Sequence, residues 1–400
     1  MPNYAQGKDS RRSHTSRDGG SVPRVSPITA PGSGDKLLDF QSTRPLSASA
    51  KAALNQAFES GWFEPQKLHQ GSARLRNLLQ EARESIATIL KVESESLEFV
   101  GELGFGYWAV LAGSLKDFPG TFIYGETDRQ VVHAFAREWQ ESGGATRLAK
   151  VDHSGKLSYD LALADRAPNN PYVLFWQATN RETGAVQELP NLELPPNSLL
   201  IADMTASYQL DRFPRDCDVA LWDPRVIGGP EGIAIISIRP GSRWRSPIPP
   251  IDKRRLFGSF SKPLLLLAAV AIEEWAKSAD RELANLQRLN KELRERIIKQ
   301  IKDVEIVANP ANQDPRYLAL VAKGVAAEEI LRQVEKRGIL IDAGSACGAG
   351  ALSPSHVLQA MGFGDSGHLR ITIKPEHSIG EIESLVVALN EEIERFRSTN

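Results

Sequence analysis

One cysteine of this sequence stands in a loop of small residues, a setting that suits thiol chemistry. Cys347 lies within GILIDAGSACGAGALSPSHVLQAMG, between a predicted strand and a predicted helix whose start is marked by Ser353 and Pro354. Its glycine, alanine and serine neighbours leave the thiol accessible, and a reactive cysteine also needs a lowered thiol pKa. On the residues alone, Cys347 is either such a nucleophile or a small packing residue in a tight turn.

Short apolar segments that alternate with helical patterns must position this loop. LEFV, TFIYGE, YVLFWQAT, SLLIADM, DVALWD and GIAIISI lie between turn signals, and helical patterns separate several of them. This alternation predicts an α/β fold with a mainly parallel sheet that helices cover on both faces. Ligands of such sheets bind beyond the carboxyl ends of the strands, so Asp203 at the end of one strand is either a site residue or a helix cap.

Composition narrows the class of protein. The chain has 400 residues with a net charge of −2, which indicates no nucleic-acid partner and no anionic membrane surface. Its two cysteines are too few for a disulfide framework and too far apart to suggest a metal site, so we expect a cytoplasmic protein without a metal. The longest apolar run is broken by Glu273 and Glu274, short of the roughly 20 residues of a membrane span.

The pattern along the chain predicts three parts. Residues 1–34 are rich in Ser, Arg, Gly and Pro, a composition typical of a disordered tail. Residues 35–270 are predicted to form a large α/β domain with a ligand cleft. Residues 271–400 are predicted to form a linking helix and a small α+β domain that carries the Cys347 loop.

Several motifs resemble those of the cysteine desulfurases, which are enzymes of the class V aminotransferase family that depend on pyridoxal phosphate (PLP). GSACGAGALSPSHVLQAMG is similar to their active-site loop, and GHLRITI, TNRETGAVQE and LLIADMTASYQ are similar to three further motifs. The resemblance spans roughly residues 37–396. It implies the fold type I PLP-transferase fold, with a small C-terminal α+β domain, PLP as the cofactor and a homodimer.

The resemblance also implies roles for individual residues. Cys347 corresponds to the catalytic cysteine that becomes a persulfide, and Arg370 to the arginine that binds the substrate carboxylate, a task that suits the guanidinium fork. Asp203 corresponds to the partner of the pyridine nitrogen. Further cofactor contacts implied by the resemblance are Asn180, Gly101 and Ser261.

Other positions depart from the family pattern. Aligned on IGGP, the lysine that forms the Schiff base with PLP falls on Val226, and no lysine occurs between Lys156 and Lys253. Neither an isopropyl nor a guanidinium group can form that bond. Lys262 is the candidate substitute, because the corresponding segment in the family approaches the phosphate from the partner subunit. The remaining altered positions are Arg225, Asp128, Arg181 and Ala206, and Glu102 stands in the phosphate-binding turn.

Three functions stay open on the sequence. The first is a PLP-free desulfurase homologue that handles sulfur, or that acts as a partner or regulator of an active desulfurase or an iron–sulfur assembly factor. The second is an active desulfurase or lyase with unconventional PLP anchoring, and the third is a binder of a different small molecule in the old PLP cleft. Arg181, Arg225 and Glu102 would then line the cleft, with Trp222 and Trp108 as stacking surfaces.

Overall fold

The computed structural model describes most of the chain from Leu37 onward. The described ranges are 37–59, 63–164, 170–188, 194–249, 255–256, 260–343, 355–364 and 367–399. The predicted tail, Cys347, Ser353 and Pro354 lie outside these ranges. The described residues belong to one compact unit.

The strands are short and separated by helices, as the alternating pattern predicts. They are β1 (Leu38–Asp39), β2 (Leu97–Val100), β3 (Thr121–Gly125), β4 (Ala145–Ala149), β5 (Tyr172–Gln177), β6 (Leu199–Asp203), β7 (Val219–Trp222), β8 (Ala234–Ile238), β9 (Val304–Ile306), β10 (Tyr317–Ala322), β11 (Ile339–Leu340), β12 (Asp342–Ala343) and β13 (His368–Thr372). The helices are α1 (Ala48–Glu59), α2 (Gln70–Leu90), α3 (Leu103–Leu115), α4 (Gln130–Glu141), α5 (Tyr159–Ala164), α6 (Lys262–Gln300), α7 (Ala327–Glu335), α8 (His356–Ala360) and α9 (Ile379–Thr399).

A seven-stranded sheet of order β2-β8-β7-β6-β5-β3-β4 dominates the described part of the chain. The pairings among β3, β4, β5, β6 and β7 are parallel, whereas β8 runs antiparallel to both of its neighbours. The prediction of a mainly parallel sheet is therefore confirmed.

Helices cover both faces of this sheet. Along β5, Leu174 and Trp176 pack into a core with residues of α2 and α6, while Val173 and Phe175 pack into a second core with residues of α3 and α4. Successive side chains of a strand point to opposite faces, so a strand buried on both faces is apolar throughout.

The C-terminal part forms a second, four-stranded antiparallel sheet of order β12-β13-β10-β9. The 39-residue helix α6 leads into it, with Pro263 in its first turn, where the missing N–H breaks no helical hydrogen bond. The predicted boundary at residue 270 falls within this continuous helix, and that boundary stays a prediction. Within the described residues, no helix has the length and apolar character that a bilayer crossing requires.

The IGGP turn keeps its structural role. A single 3₁₀ turn, Pro224–Ile227, follows β7, and Gly228 ends it with φ of 84°. This left-handed conformation favours glycine, and an added Cβ would approach the carbonyl oxygen of Pro45 at 3.1 Å.

Candidate functional site

A cleft of about 910 Å³ lies beyond the carboxyl ends of the parallel strands. Residues after β3, β5, β6 and β7, together with the start of α3, form one wall, and residues of β10, β12, β13 and α8 form the other. This location is the one expected for a ligand site in a parallel α/β sheet. Of the predicted site residues, the lining includes Asp128, Asn180, Arg181, Asp203, Ala206, Arg225 and Arg370.

Asp203 lines the cleft, and both of its carboxylate oxygens accept hydrogen bonds from the protein. The Tyr107 hydroxyl donates to Oδ2 of Asp203 at 2.7 Å, and the backbone N–H of Thr205 donates to Oδ1 at 2.9 Å. All three residues are buried. The side chain of Thr205 completes the group, because its hydroxyl lies 2.7 Å from the Tyr107 hydroxyl.

Asp128 is fully buried at the end of the β3 strand. Its Oδ2 accepts a hydrogen bond from the Gly125 N–H at 2.7 Å, while its Oδ1 has no hydrogen-bond partner among the described residues. Burial raises the pKa of Asp128 well above its ordinary value, and the nearby Asp203 charge raises it further. Burial therefore favours the neutral form of the Asp128 carboxyl group.

His356, at the start of α8, touches the same strand end. Its Nε2 lies 3.0 Å from the Asp128 carbonyl oxygen, so this nitrogen carries the hydrogen and donates. The His133 ring packs edge-on against His356 with a centroid distance of 5.6 Å. Burial, followed by the nearby His356 charge, lowers the pKa of His133. These contacts fix α8 to the wall of the cleft.

Asn180 shapes the turn after β5. Its side-chain amide donates to the carbonyl oxygen of Thr127 and to the side chain of Gln177, both at 3.1 Å. Its Oδ1 accepts from the backbone N–H groups of Glu182 and Thr183 at 2.9 and 3.0 Å. The amide is thus used inside the protein, and this turn is what places Arg181 at the cleft.

Four arginines line the cleft, and two of them form ion pairs with carboxylates. Arg225 makes a fork-like contact with Asp223, with Nη2 to Oδ2 at 2.8 Å, and Arg370 pairs with Asp342. Arg370 therefore lines the cleft, but its Nη2 is already paired with the Asp342 carboxylate.

Arg129 and Arg181 are different, because no carboxylate of the described residues lies within ion-pair distance of either. Arg129 donates to the Thr205 hydroxyl at 3.2 Å and lies over the Tyr107 ring at 5.5 Å. Although the Arg181 side chain is accessible from the cleft, burial by the surrounding protein lowers its pKa, and the neighbouring guanidinium groups of Arg129, Arg225 and Arg370 also lower it.

The start of α3 is the turn in which the resemblance placed phosphate binding. Glu102 is the N-cap residue, and its Oε2 accepts the backbone N–H of Gly104 at 2.7 Å. A carboxylate there satisfies a free N–H group and opposes a second anion at the same place. Gly101 precedes it in a bend and does not line the cleft.

The altered positions after β6 and β7 are held by one buried arginine. Val226 is buried in the core and lies outside the cleft lining. The carbonyl oxygens of Val226 and Ala206 both accept hydrogen bonds from Arg316, which forms a buried ion pair with Asp314 at 2.8 Å. Ala206 lines the cleft, and Arg316 holds the backbone around it.

Several predicted residues lie elsewhere. Ser261 precedes α6 and Lys262 begins it, and neither lines the cleft of its own chain. The proposal of Trp222 and Trp108 as stacking surfaces is wrong for this cleft, because neither is part of its lining. Trp222 is a core residue that donates to the Leu210 carbonyl oxygen at 2.9 Å, and Trp108 stacks on Phe105 at the surface. Cys347 lies outside the described residues.

Tyr107, Arg129, Thr205 and His356 are among the cleft residues that the sequence did not predict. Thr205 and Arg129 lie a few positions beyond the carboxyl ends of strands. They could have been predicted by searching for polar residues a few positions further along the chain. Tyr107 stands in a helix of apolar residues, and nothing in its neighbourhood marks a polar role. Among the described residues, no three His, Cys, Asp or Glu side chains are close enough together to hold a metal ion.

Comparisons with known proteins agree with this architecture. The sequence pattern of the family described as "Aminotransferase class-V" matches residues 265–385. A cysteine desulfurase of Nostoc sp. is 23% identical over 385 residues, covering 90% of this chain and 93% of its own length. A relative named cysteine desulfurase IscS 1, from Archaeoglobus fulgidus, is 23% identical and covers 90% and 97%.

Solved structures show the same fold. A NifS-like protein has a TM-score of 0.78 at 17% identity, covering 90% of this chain and all of its own. The apo structure of a cysteine desulfurase from Thermococcus onnurineus has a TM-score of 0.72 at 14% identity, covering 90% and 95%. The chain is thus similar to the class V aminotransferase family and, within it, to the cysteine desulfurases, in which PLP is the cofactor.

Proposed function

We propose that this protein is a cysteine desulfurase-like member of the family that forms no Schiff base with PLP in this cleft. We propose that it takes part in sulfur handling as a partner of an active desulfurase. The observation that carries the proposal is that the described lining of the cleft contains no lysine. The Glu102 carboxylate, which caps the start of α3, supports it.

The chemistry of PLP makes these two features matter. The cofactor supplies an electron sink when it is linked to a primary amine and when an acid keeps its pyridine nitrogen protonated. Each carboxylate oxygen can accept two hydrogen bonds, so the bonds from Tyr107 and Thr205 leave Asp203 acceptor sites for a ring nitrogen. Glu102 places a carboxylate at the helix start where a phosphate group would bind. The missing lysine and the Glu102 carboxylate therefore support the proposal that no Schiff base with PLP forms in the described cleft.

Both cysteines bear on the proposed sulfur handling. Cys217 is buried, and burial together with Asp218 raises the pKa of its thiol to about 12, which makes it inert near neutral pH. Cys347 is the remaining thiol of the chain, and it stands in the loop that resembles the persulfide-carrying loop of the desulfurases. By analogy with the family, we also propose that the protein forms a homodimer or binds a partner protein.

The proposed transfer needs no oxidant. The Cys347 thiolate attacks the outer sulfur of a persulfide on the donor desulfurase. A new S–S bond forms to Cys347, the S–S bond of the donor breaks, and the donor cysteine leaves as a thiolate.

Two measurements test the proposal. After incubation with PLP and removal of the free cofactor, the protein should lack the visible absorbance of a Schiff base, whereas an active desulfurase treated in parallel should show it. After incubation with that desulfurase and cysteine, intact mass should show one added sulfur on the wild type and on the Cys217→Ser variant, and none on Cys347→Ser.

Bound PLP with turnover of cysteine would instead support an active desulfurase with unconventional anchoring. The presence of both Asp203 and Arg370 in one cleft speaks for that alternative. Equal sulfur addition to the wild type and to Cys347→Ser would contradict the sulfur-handling half of the proposal.

A further inference from the structure

We propose that Arg129, Arg181 and Asp128 form a binding site for a doubly charged tetrahedral oxyanion, phosphate or sulfate, either free or as the charged group of a larger ligand. This inference rests on the proposed function, because it assigns a ligand to the cleft that the proposal leaves without PLP. All three residues line the cleft, from two neighbouring strand ends: Asp128 and Arg129 follow β3, and Arg181 follows β5.

Two of the four arginines of the cleft have no carboxylate of the described residues in direct contact. Burial alone would lower the pKa of Arg129, but nearby groups, the Asp203 and Asp223 charges among them, raise it. Arg225 is paired with Asp223 and Arg370 with Asp342, so each positive charge has a carboxylate in contact. Arg129 and Arg181 have none within ion-pair distance among the described residues.

Three acidic residues of the lining accept hydrogen bonds from groups other than Arg129 and Arg181. Glu102 caps α3, Asp203 accepts from Tyr107 and Thr205, and Glu182 accepts from the Ser355 hydroxyl. Glu182 is also within 3.9 Å of Arg370, at the edge of ion-pair distance. An oxyanion is the ligand that would contact directly the two guanidinium groups that have no carboxylate partner in the described part of the chain.

The number of free donors also favours a tetrahedral dianion. A guanidinium group has five N–H donors in a rigid fork, and the one described hydrogen bond of Arg129 goes to Thr205. Two such forks can bind different oxygen pairs of a phosphate or sulfate, whereas a single carboxylate offers only two oxygens. The Arg129 guanidinium group lies over the aromatic ring of Tyr107, and this cation–π contact helps to hold the guanidinium group in place.

Asp128 contributes as a donor. Its Oδ1 is buried and has no partner among the described residues, and it belongs to a group that lines the cleft. Burial raises the pKa of Asp128 and so favours the neutral carboxyl, which can donate an O–H to an oxyanion instead of repelling it. A buried polar atom without a hydrogen-bond partner destabilises the folded protein. A ligand that supplies this hydrogen bond therefore gains binding free energy.

The cleft, at about 910 Å³, exceeds the space that one inorganic anion needs. The bound anion can therefore be the charged end of a larger molecule. Inorganic phosphate and sulfate are the direct probes of the shared chemistry, and a phosphate monoester such as glycerol phosphate tests whether an esterified group is accepted.

Thermal unfolding of the full chain, in samples shown by absorbance to carry no Schiff base, is the test. The midpoint should rise saturably with phosphate and sulfate, and it should not rise with sodium chloride at the same ionic strength. Arg181→Gln should weaken the apparent affinity by about tenfold or more, as expected for a lost charge-assisted fork. Arg288→Gln, which removes the same charge from an exposed position on α6, should leave the affinity within about twofold of the wild type.

Asp128→Asn separates the donor from the repelling charge. The amide keeps a neutral donor, so we expect phosphate affinity close to that of the wild type. A large gain in affinity in Asp128→Asn would mean that the carboxyl is ionised and would overturn its role as a donor. Equal responses to phosphate and chloride, or equal affinity of the wild type and Arg181→Gln, would overturn the site itself. A Schiff-base band in the PLP-treated sample would overturn the proposed function independently of either result.

Discussion

Replacing Tyr107 by phenylalanine tests whether the protein itself holds the Asp203 carboxylate. The Tyr107 hydroxyl donates to Asp203 at 2.7 Å, and both side chains are buried. A hydrogen bond to a charged group contributes about 1.5–3 kcal/mol, and its removal leaves a buried oxygen without that donor. We therefore expect the Tyr107→Phe variant to lose about 2–3 kcal/mol of free energy of unfolding, with the ring packing unchanged.

Thermal unfolding followed by circular dichroism measures this loss. In a chain of this size, about 2 kcal/mol corresponds to a fall of roughly 3 °C in the midpoint. Tyr124→Phe is the matched control, because Tyr124 is half-buried on β3 and lies outside the cleft lining. Its midpoint should move by less than about 1 °C. Equal midpoints for the two variants would refute the view that Tyr107 holds Asp203.

Two further predictions concern ion pairs outside the cleft. Arg316→Met leaves the Asp314 charge buried and should cost about 3–5 kcal/mol, measured as a lower unfolding midpoint, whereas an unchanged midpoint would contradict the role of Arg316. Burial alone would raise the pKa of Asp39, but hydrogen bonds from Lys374 and from backbone N–H groups lower it from 3.8 to about 2. The stability that this pair contributes is present above pH 3.8 and is lost as the pH falls toward 2. Between pH 5 and pH 2, the free energy of unfolding of the wild type should therefore fall by about 1 kcal/mol more than that of Asp39→Asn. Urea unfolding at the two pH values measures this difference.

The sheet could be predicted because its signals are local. Each buried strand is a short apolar run between turn residues, and Asp203 stands at the end of β6 as the strand-end rule requires. The motif that contains Arg370 likewise falls on β13, and Arg370 faces the cleft.

The state of these residues could not be predicted, because it depends on partners that are distant in sequence. Tyr107 reaches Asp203 across 96 positions, and its own neighbours are apolar helix residues. The bond from Arg316 to the Val226 carbonyl spans 90 positions. Long-range contacts of this kind follow from how helices and strands pack, which periodicity alone does not specify. The roles of Asn180, Gly101 and Ser261 as cofactor contacts stay predictions.

The most direct test of the central claim is chemical trapping of PLP on the intact protein. The protein is incubated with excess PLP, reduced with borohydride and measured by intact mass, with an active desulfurase treated in parallel. We predict no PLP adduct beyond the low random labelling of surface lysines, because no lysine of the described residues lines the cleft. A single stoichiometric adduct that maps to one lysine, and that disappears when this lysine is replaced, would contradict the account.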